Sequence, residues 1–491
     1  MKTYIKITLL SVFTLWFSSC GEDYFDVNTP SGTATLDQLQ MNDLLGPAIY
    51  HTVLAQYYAE FIFGNYTQYF TGQGGTAYGP TTLASTWSNT YLYALPSLQK
   101  IIEKAETENS TDFSGIAKIL IAINIGLATD SYDAIPYAEA SLGSEDLSPS
   151  FQSQEDIYAA INTLLDEAIA DISGDNPSGI SPTSTGDIAY KGNMDKWLRA
   201  AYTLKARYAL HLTEVDGVAA AQAALSAIAN GFTSNADDLQ IFFDERNINP
   251  WHSRQVLAPN TGNVHDKVGD QLVSYMNGTS YPFSTIDIDP RLPIYADIDG
   301  DPGDPYRGYV TGGEGLSSDG EAANTDFADD GYYSSVGSPM VIISYAEAEF
   351  IRAEAQFLVD GGSTSSTGAS ATAYDAYLAG IAANIAKLGA DGTAYLAEPA
   401  IAVGAESLQL HHIMKEKYIA NFLNPETFVD MRRYDFSDEV FLDLALPLQI
   451  ELSEFPDWLV RAQYPGTEET RNPENVNANK KSPIEPVWWD R

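Results

Sequence analysis

Apolar residues recur along this chain at steps of three and four, in segments separated by short polar breaks, which is the spacing of one buried helix face. In SQEDIYAAINTLLDEAIADI, residues 153–172, Ile157, Ile161, Leu164, Leu165, Ala168 and Ile172 share a face. Ser153 and Asp156 ahead of them have capping-box spacing. In DKWLRAAYTLKARYALHL, residues 195–212, the face is Trp197, Ala201, Leu204, Tyr208 and Leu212. The same period predicts helices over about 53–70, 85–105, 114–129, 344–358, 371–387 and 406–422. It breaks over about 231–340, where DIDPRLPIYADIDGDPGDPYRGYVTGGEGLSSDG is rich in Gly, Pro and Asp with tyrosines interspersed. That composition predicts an irregular insertion or a set of binding loops rather than a linker. Residues 447–491 read as largely non-helical. Periodicity therefore predicts a mostly α chain with helix pairs on either side of a loop region. No repeat with the tetratricopeptide consensus of about 34 residues is legible, so a solenoid is one option among mostly α folds.

The N-terminus follows a different pattern. Lys2 and Lys6 precede an apolar run from Ile7 to Phe17, then Ser18, Ser19 and the chain's single cysteine, Cys20. This predicts a secretory signal over residues 1–19. The run is about half of the ~20 residues needed to span a bilayer, and no later apolar stretch reads as reaching that length. A lone cysteine forms no intramolecular disulfide. Its position after small residues resembles a bacterial lipobox, so lipidation of Cys20 is expected and a free thiol is the alternative. Glu22 and Asp23 resemble a short export signal to the cell surface, and VNTPSGTAT reads as tether, giving a lipidated acidic tether over 20–36 and a folded domain over 37–491.

Charge narrows the partners. With 26 basic against 66 acidic residues and a net charge of −40, the surface repels phosphate backbones, which excludes nucleic acid. Adhesion to anionic lipid by charge is excluded for the same reason, leaving an acyl group as the only membrane link. The hydrophobic fraction of 44% is ample for a core, so this acidity does not imply disorder. No nucleophile elbow, zinc HExxH, phosphate loop or dinucleotide fingerprint is present, so no enzyme activity and no cofactor are expected. His411 and His412 are neighbours on a predicted helix and point apart, which disfavours a metal pair. Asp297, Asp299 and Asp301, with Asp304, could offer carboxylates to a structural Ca²⁺. Pro302 stands where an EF-hand loop needs Gly, and the favoured reading is an acidic solvated turn.

Several segments in order resemble the SusD/RagB-like family of outer-membrane nutrient-binding lipoproteins. These are Cys20 to Thr29 with YFDVNTP, then DSYDAIPYAEA at 130–140, in which Asp133 and Ala134 replace the family's Gly-Asp order, and AYKGNMDKWLRAAYTLKARYALHL at 189–212. They continue with SYAEAEFIRAEA at 344–355, EKYIANFLNPETFVDMRRYDF at 416–436, and an ending with Arg461, Tyr464, Pro465 and Trp488 to Asp490. The resemblance implies a right-handed superhelix of tetratricopeptide-like helix pairs with a large irregular loop insertion. It further implies a lipid-anchored protein exposed at the outer membrane that delivers oligosaccharide or polysaccharide to a SusC-like TonB-dependent barrel transporter. Capture of peptides for the same kind of transporter is the alternative, and a surface glycoside hydrolase a more distant one. The matched motifs read as structural: Tyr345, Ala346, Ala348, Phe350 and Ala353 suit close helix packing. Arg432 and Arg433 have Asp430 and Asp435 at hand, to pair with or to share a solvated face.

In the family, ligand contacts come from the loop after the first helix and from the insertion, here about 72–82 and 247–333. A neutral glycan needs aromatic faces for sugar C–H surfaces and Asn, Gln, Asp or Arg for hydroxyls. Aromatics flanked by turn residues are the informative ones. They are Tyr78 in GQGGTAYGP, Trp251 in NINPWHSRQ, Tyr306 and Tyr309 in GDPYRGY, and Tyr332 and Tyr333 before the fourth motif. Trp87 and Trp197 lie in helical pattern and read as core.

Overall fold

Helices pack each upon the next through most of the chain. The computed structural model describes residues 38–72, 79–140, 148–450 and 454–490. Cys20, the leader, the tether and Tyr78 lie outside the described residues. Met41–Arg491 forms one compact unit.

α1 (Met41–Tyr66) starts well before its predicted position and leads into β1 (Phe70–Thr71). Ala84–Ser88, a π-helical turn over Asn89–Ala94 and α2 (Leu95–Glu108) run on as one rod. Then come α3 (Thr111–Tyr132), the short pair β2 (Ile135–Pro136) and β3 (Phe151–Gln152), α4 (Gln154–Ser173), α5 (Met194–His211) and α6 (Val218–Ile228). After the insertion follow α7 (Tyr345–Val359), α8 (Ala371–Leu388), α9 (Leu410–Ala420) and α10 (Glu426–Arg432). Contacts follow chain order: α3 packs on α2 and α4, α5 on α4 and α6, and α7 on α6, α8 and α9. That arrangement is the expected mostly α superhelix.

Local chemistry sets the ends of these helices. The backbone N–H groups of Asp156, Lys196, Glu347 and Ala373 donate to the side chains of Ser153, Asn193, Ser344 and Ser370, each satisfying a donor that the first turn leaves open. The predicted faces of α4 and α5 are buried, except that Ile172 and Leu212 at their ends are only half-buried. α6 was not legible because VAAAQAALSAI is mostly alanine, with too few large residues to mark a face. Its Ala220, Ala221 and Ala224 are buried against α5 and α7, where small side chains allow close approach. Close approach recurs at Gly126 of α3, where a Cβ would stand 2.2 Å from the Tyr208 hydroxyl of α5.

One expectation is corrected. α3 is 22 residues long and apolar enough to span a membrane, contrary to the reading of the sequence, but 83% of its apolar window is buried by its neighbours, so it is the core helix of the array. The C-terminal part is largely non-helical as expected, with two short helices at Gly466–Arg471 and Pro473–Asn479.

The insertion is closed at its base by β4 (Leu239–Phe242) pairing antiparallel with β8 (Pro339–Ile343). Inside it, β5 (Lys267–Val268) pairs with β1, and β6 (Ala296–Ile298) pairs with β7 (Thr325–Phe327).

Buried charge joins the helices. Arg207 of α5 donates from Nε and Nη2 to Glu347 of α7 at 2.7 Å each, and its Nε lies 3.5 Å from Glu426 of α10. Glu426 also meets His211 Nε2 at 2.6 Å, while His211 Nδ1 pairs with the Tyr158 hydroxyl at 2.8 Å. Tyr158 donates to Asp130 at 2.6 Å, and Trp489 near the C-terminus donates its indole N–H to the same oxygen at 2.9 Å. Beside this chain, Arg433 and Lys417 share Glu354 and Asp430. Arg432 donates to the carbonyls of Phe428, Asp130 and Val460 and covers the Trp489 ring. Both arginines are therefore buried rather than solvated, and Asp435 partners neither.

Removing one member of such a buried set leaves an uncompensated charge. Arg207→Met should lower unfolding free energy by about 3–5 kcal/mol, measured by urea denaturation, and the pair Arg207→Met with Glu347→Leu should recover part of that. His211 has a second signature. Burial opposes its charged form, but Glu426 and Asp130 outweigh that cost and raise its pKa from 6.5 to about 9. Its stabilisation is complete below about pH 6.5 and is lost as pH rises through about 9. Denaturation midpoints should fall over that interval, and less steeply in His211→Gln.

Candidate functional site

Strand pairing in the insertion builds the concave surface. After β5, Tyr309 N–H donates to Val268 O at 2.9 Å and Asp270 N–H donates to Tyr309 O at 3.0 Å, an isolated parallel bridge between Tyr309 and Gly269 at the end of β5. The approach is tight at Gly308, where a Cβ would stand 2.6 Å from Gly269 O. It leaves the preceding Tyr306 half-buried at the lip of an open cleft.

That cleft has a volume of about 540 Å³. Tyr306 and Arg307 form one wall, with Asn277, Asp287, Asp304 and Asp319 around them. Asn277 Nδ2 donates to Tyr306 O at 3.1 Å, and Arg307 Nε donates to Asp319 at 2.8 Å. The hydrogen bond from Arg307 holds the Asp319 carboxyl below its usual range. Burial, with Asp297 nearby, raises the Tyr306 hydroxyl pKa, so this phenol stays a neutral donor.

A second cleft of about 420 Å³ shares the ridge of Asp270, Ser317 and Ser318 with the first. Asp270 accepts from Ser317 Oγ at 2.9 Å and Ser274 Oγ at 3.2 Å, which fixes the ridge. The far wall is the C-terminal segment 443–448, with Leu446 and Leu448 exposed opposite exposed Leu316. Leu448 N–H donates to Thr311 O at 2.9 Å, tying that wall to the insertion. Thr311 Oγ1 and the Gln68 and Gln271 side chains contribute polar groups.

Of the aromatics singled out from sequence, Tyr306 alone lines these clefts among the described residues. Trp251 is a core residue at 2% exposure, edge-on to Tyr57 at 4.8 Å and Phe70 at 5.7 Å. Tyr333 is also buried, packed on Tyr295 and Phe422. Tyr332 is half-buried with Lys387 5.8 Å from its ring, and Tyr309 sits likewise 5.8 Å from Lys267. Turn residues flank buried and exposed aromatics alike, which is why flanking composition misplaced Trp251 and Tyr333. Arg307 was adjacent to a chosen residue. Asn277 and Asp287 lie within the stretch 247–333 expected to supply contacts but were not singled out, whereas the 443–448 wall carried no sequence signal and reaches the cleft by folding alone.

The carboxylates proposed for Ca²⁺ do not converge. Asp297 accepts from Asp329 N–H at 3.0 Å, Asp299 lies 3.7 Å from Lys267, and Asp301 caps its own turn through Gly303 N–H. No group of three metal-ligating side chains occurs among the described residues. His411 and His412 are in contact, 3.9 Å between ring centres, rather than pointing apart. Burial and neighbouring Lys415 lower the pKa of His411 to about 4, so it is a neutral packing group hydrogen-bonded to Tyr281.

Residues 33–443 match a family model described as SusD-like, starch-binding associating with outer membrane. Among solved structures, a SusD/RagB family protein from Bacteroides thetaiotaomicron superposes with a TM-score of 0.70 at 21% identity, covering 92% of this chain and 99% of that one. A chitin-binding protein gives 0.72 at 23% identity, covering 92% and 100%. A chitin-binding SusD homolog from Flavobacterium johnsoniae gives 0.70 at 20% identity, covering 92% and 98%. At these identities the likeness carries the fold. No curated protein sequence matches the chain.

Trp251→Ala should behave as a core truncation. We expect a loss of about 3–5 kcal/mol in denaturant unfolding.

Proposed function

The chain belongs to the SusD-like family, whose description places it at the outer membrane with starch binding, and from that premise we propose a lipid-anchored, surface-exposed binding protein without catalytic activity. It captures oligosaccharide or polysaccharide in the paired clefts and hands it to a SusC-like TonB-dependent transporter, with Cys20 as the acylated anchor. The observation that carries the ligand class is Tyr306, a neutral aromatic at the lip of a cleft of about 540 Å³ beside Asn277, Asp287 and Arg307. An aromatic face beside amide, carboxylate and guanidinium groups suits a sugar ring, whose C–H surface stacks while its hydroxyls find donors and acceptors. Two clefts sharing one ridge suit a chain of several sugars rather than a single ring. The chitin-binding proteins of the same fold support carbohydrate over peptide.

Affinity electrophoresis across plant, fungal and host glycans tests this reading, with peptide binding measured in parallel. Retention of peptide without any glycan would overturn it. For a retained glycan, Tyr306→Ala should weaken binding by about 1.5 kcal/mol, roughly tenfold in Kd, with an unchanged melting temperature.

A further inference from the structure

Six of the protein's cations are placed where no ligand reaches them. Arg207, Arg291, Lys415, Lys417, Arg432 and Arg433 are buried in ion pairs or against backbone carbonyls. The linings of the two clefts contain one basic side chain, Arg307, against Asp270, Asp287, Asp304 and Asp319 in the first and Asp443 in the second. Arg307 is held by Asp319 at 2.8 Å and also feels Asp304 and Glu321. Asp287 and Asp304 stand exposed at the rim of the first cleft. The nearest strand lysine, Lys267, is taken by Asp326 at 2.5 Å.

We infer that the clefts select ligands by charge: they admit neutral and amine-bearing glycans and reject those carrying carboxylate or sulfate. The inference rests on the reading of these clefts as the glycan site. An anionic sugar would enter a concave surface with excess carboxylate and find its only cation already neutralised. Like charges brought together at a binding surface are strongly unfavourable, and a cleft concentrates the field. A protonated amine on the same sugar backbone would gain from that field. The Tyr306 face is indifferent to the substituent, so the discrimination resides in the carboxylates. Rim charges act through a screened field, so the selectivity weakens with salt.

The test compares three forms of one polysaccharide that the protein retains: native, aminated and carboxylated at the primary hydroxyl. Isothermal titration at ~20 mM and ~500 mM salt should show the carboxylated form at least about tenfold weaker than the native one at low salt, with the gap narrowing to a few-fold at high salt. The aminated form should bind at least as tightly as the native one at low salt. The double variant Asp287→Asn, Asp304→Asn should narrow the gap between native and carboxylated forms. Equal affinity for native and carboxylated forms, or a gap unmoved by salt and by the double variant, would overturn the charge selection while leaving glycan binding intact. Retention of no polysaccharide would overturn the binding reading and the selection with it.

Discussion

The rest of the structure depends on the buried contact between Arg207 and its two carboxylates, Glu347 and Glu426. These three residues lie on α5, α7 and α10, on both sides of the insertion in sequence, so their meeting fixes how the two parts of the helical array face each other. The chain of polar contacts runs on through His211 and Tyr158 to Asp130 on α3, and Trp489 from the end of the chain caps it. A buried ion is tolerated only where its partners are satisfied, so each member constrains the position of the others. The segments that resemble a known family at 130–140, 189–212, 344–355, 416–436 and the C-terminus are largely the ones that supply this network.

A second buried set holds the base of the insertion. Arg291, in the insertion, forks onto Asp289 and reaches Glu416 of α9 at 2.7 Å. Glu398 accepts hydrogen bonds from the backbone and hydroxyl groups of Ser284 and Thr285. The irregular segment is thus fastened to the helices by charge-assisted bonds rather than by extended sheet, whose strands here are very short. A loop platform on a rigid scaffold can keep its clefts open without paired strands behind every wall. The buried cations are matched by the buried carboxylates Glu347, Glu426, Asp289, Glu416, Glu354 and Asp430, so the acidity of the surface comes from the excess of 66 acidic over 26 basic residues in the chain.

Helices were legible where large apolar residues mark a face, as at Ile157 to Ala168 and Trp197 to Tyr208. They were not legible in α6, where alanine marks no face, nor at the start of α1, where Gly46 and Pro47 interrupt the face of Met41, Leu44, Leu45, Ala48 and Ile49. For charged residues the sequence left two outcomes open, and Arg433 does pair with Asp430. Arg432 and Arg433 are both buried because carboxylates and carbonyls remote in sequence complete their coordination.

The amino-acid sequence by itself determined the helical scaffold, the interrupted pattern of the insertion, the strong acidity of the chain, and the motifs that identify the family. Those properties are local or summed over the chain. Tertiary structure alone decided which loop aromatic meets solvent. Tyr306 is held at a cleft by the bridge between Tyr309 and Gly269, and Trp251 is enclosed by α1 and β1, although turn residues flank both. Exposure is a property of what packs against a residue, and at Trp251 the packing partners are Tyr57 and Phe70, far away in sequence.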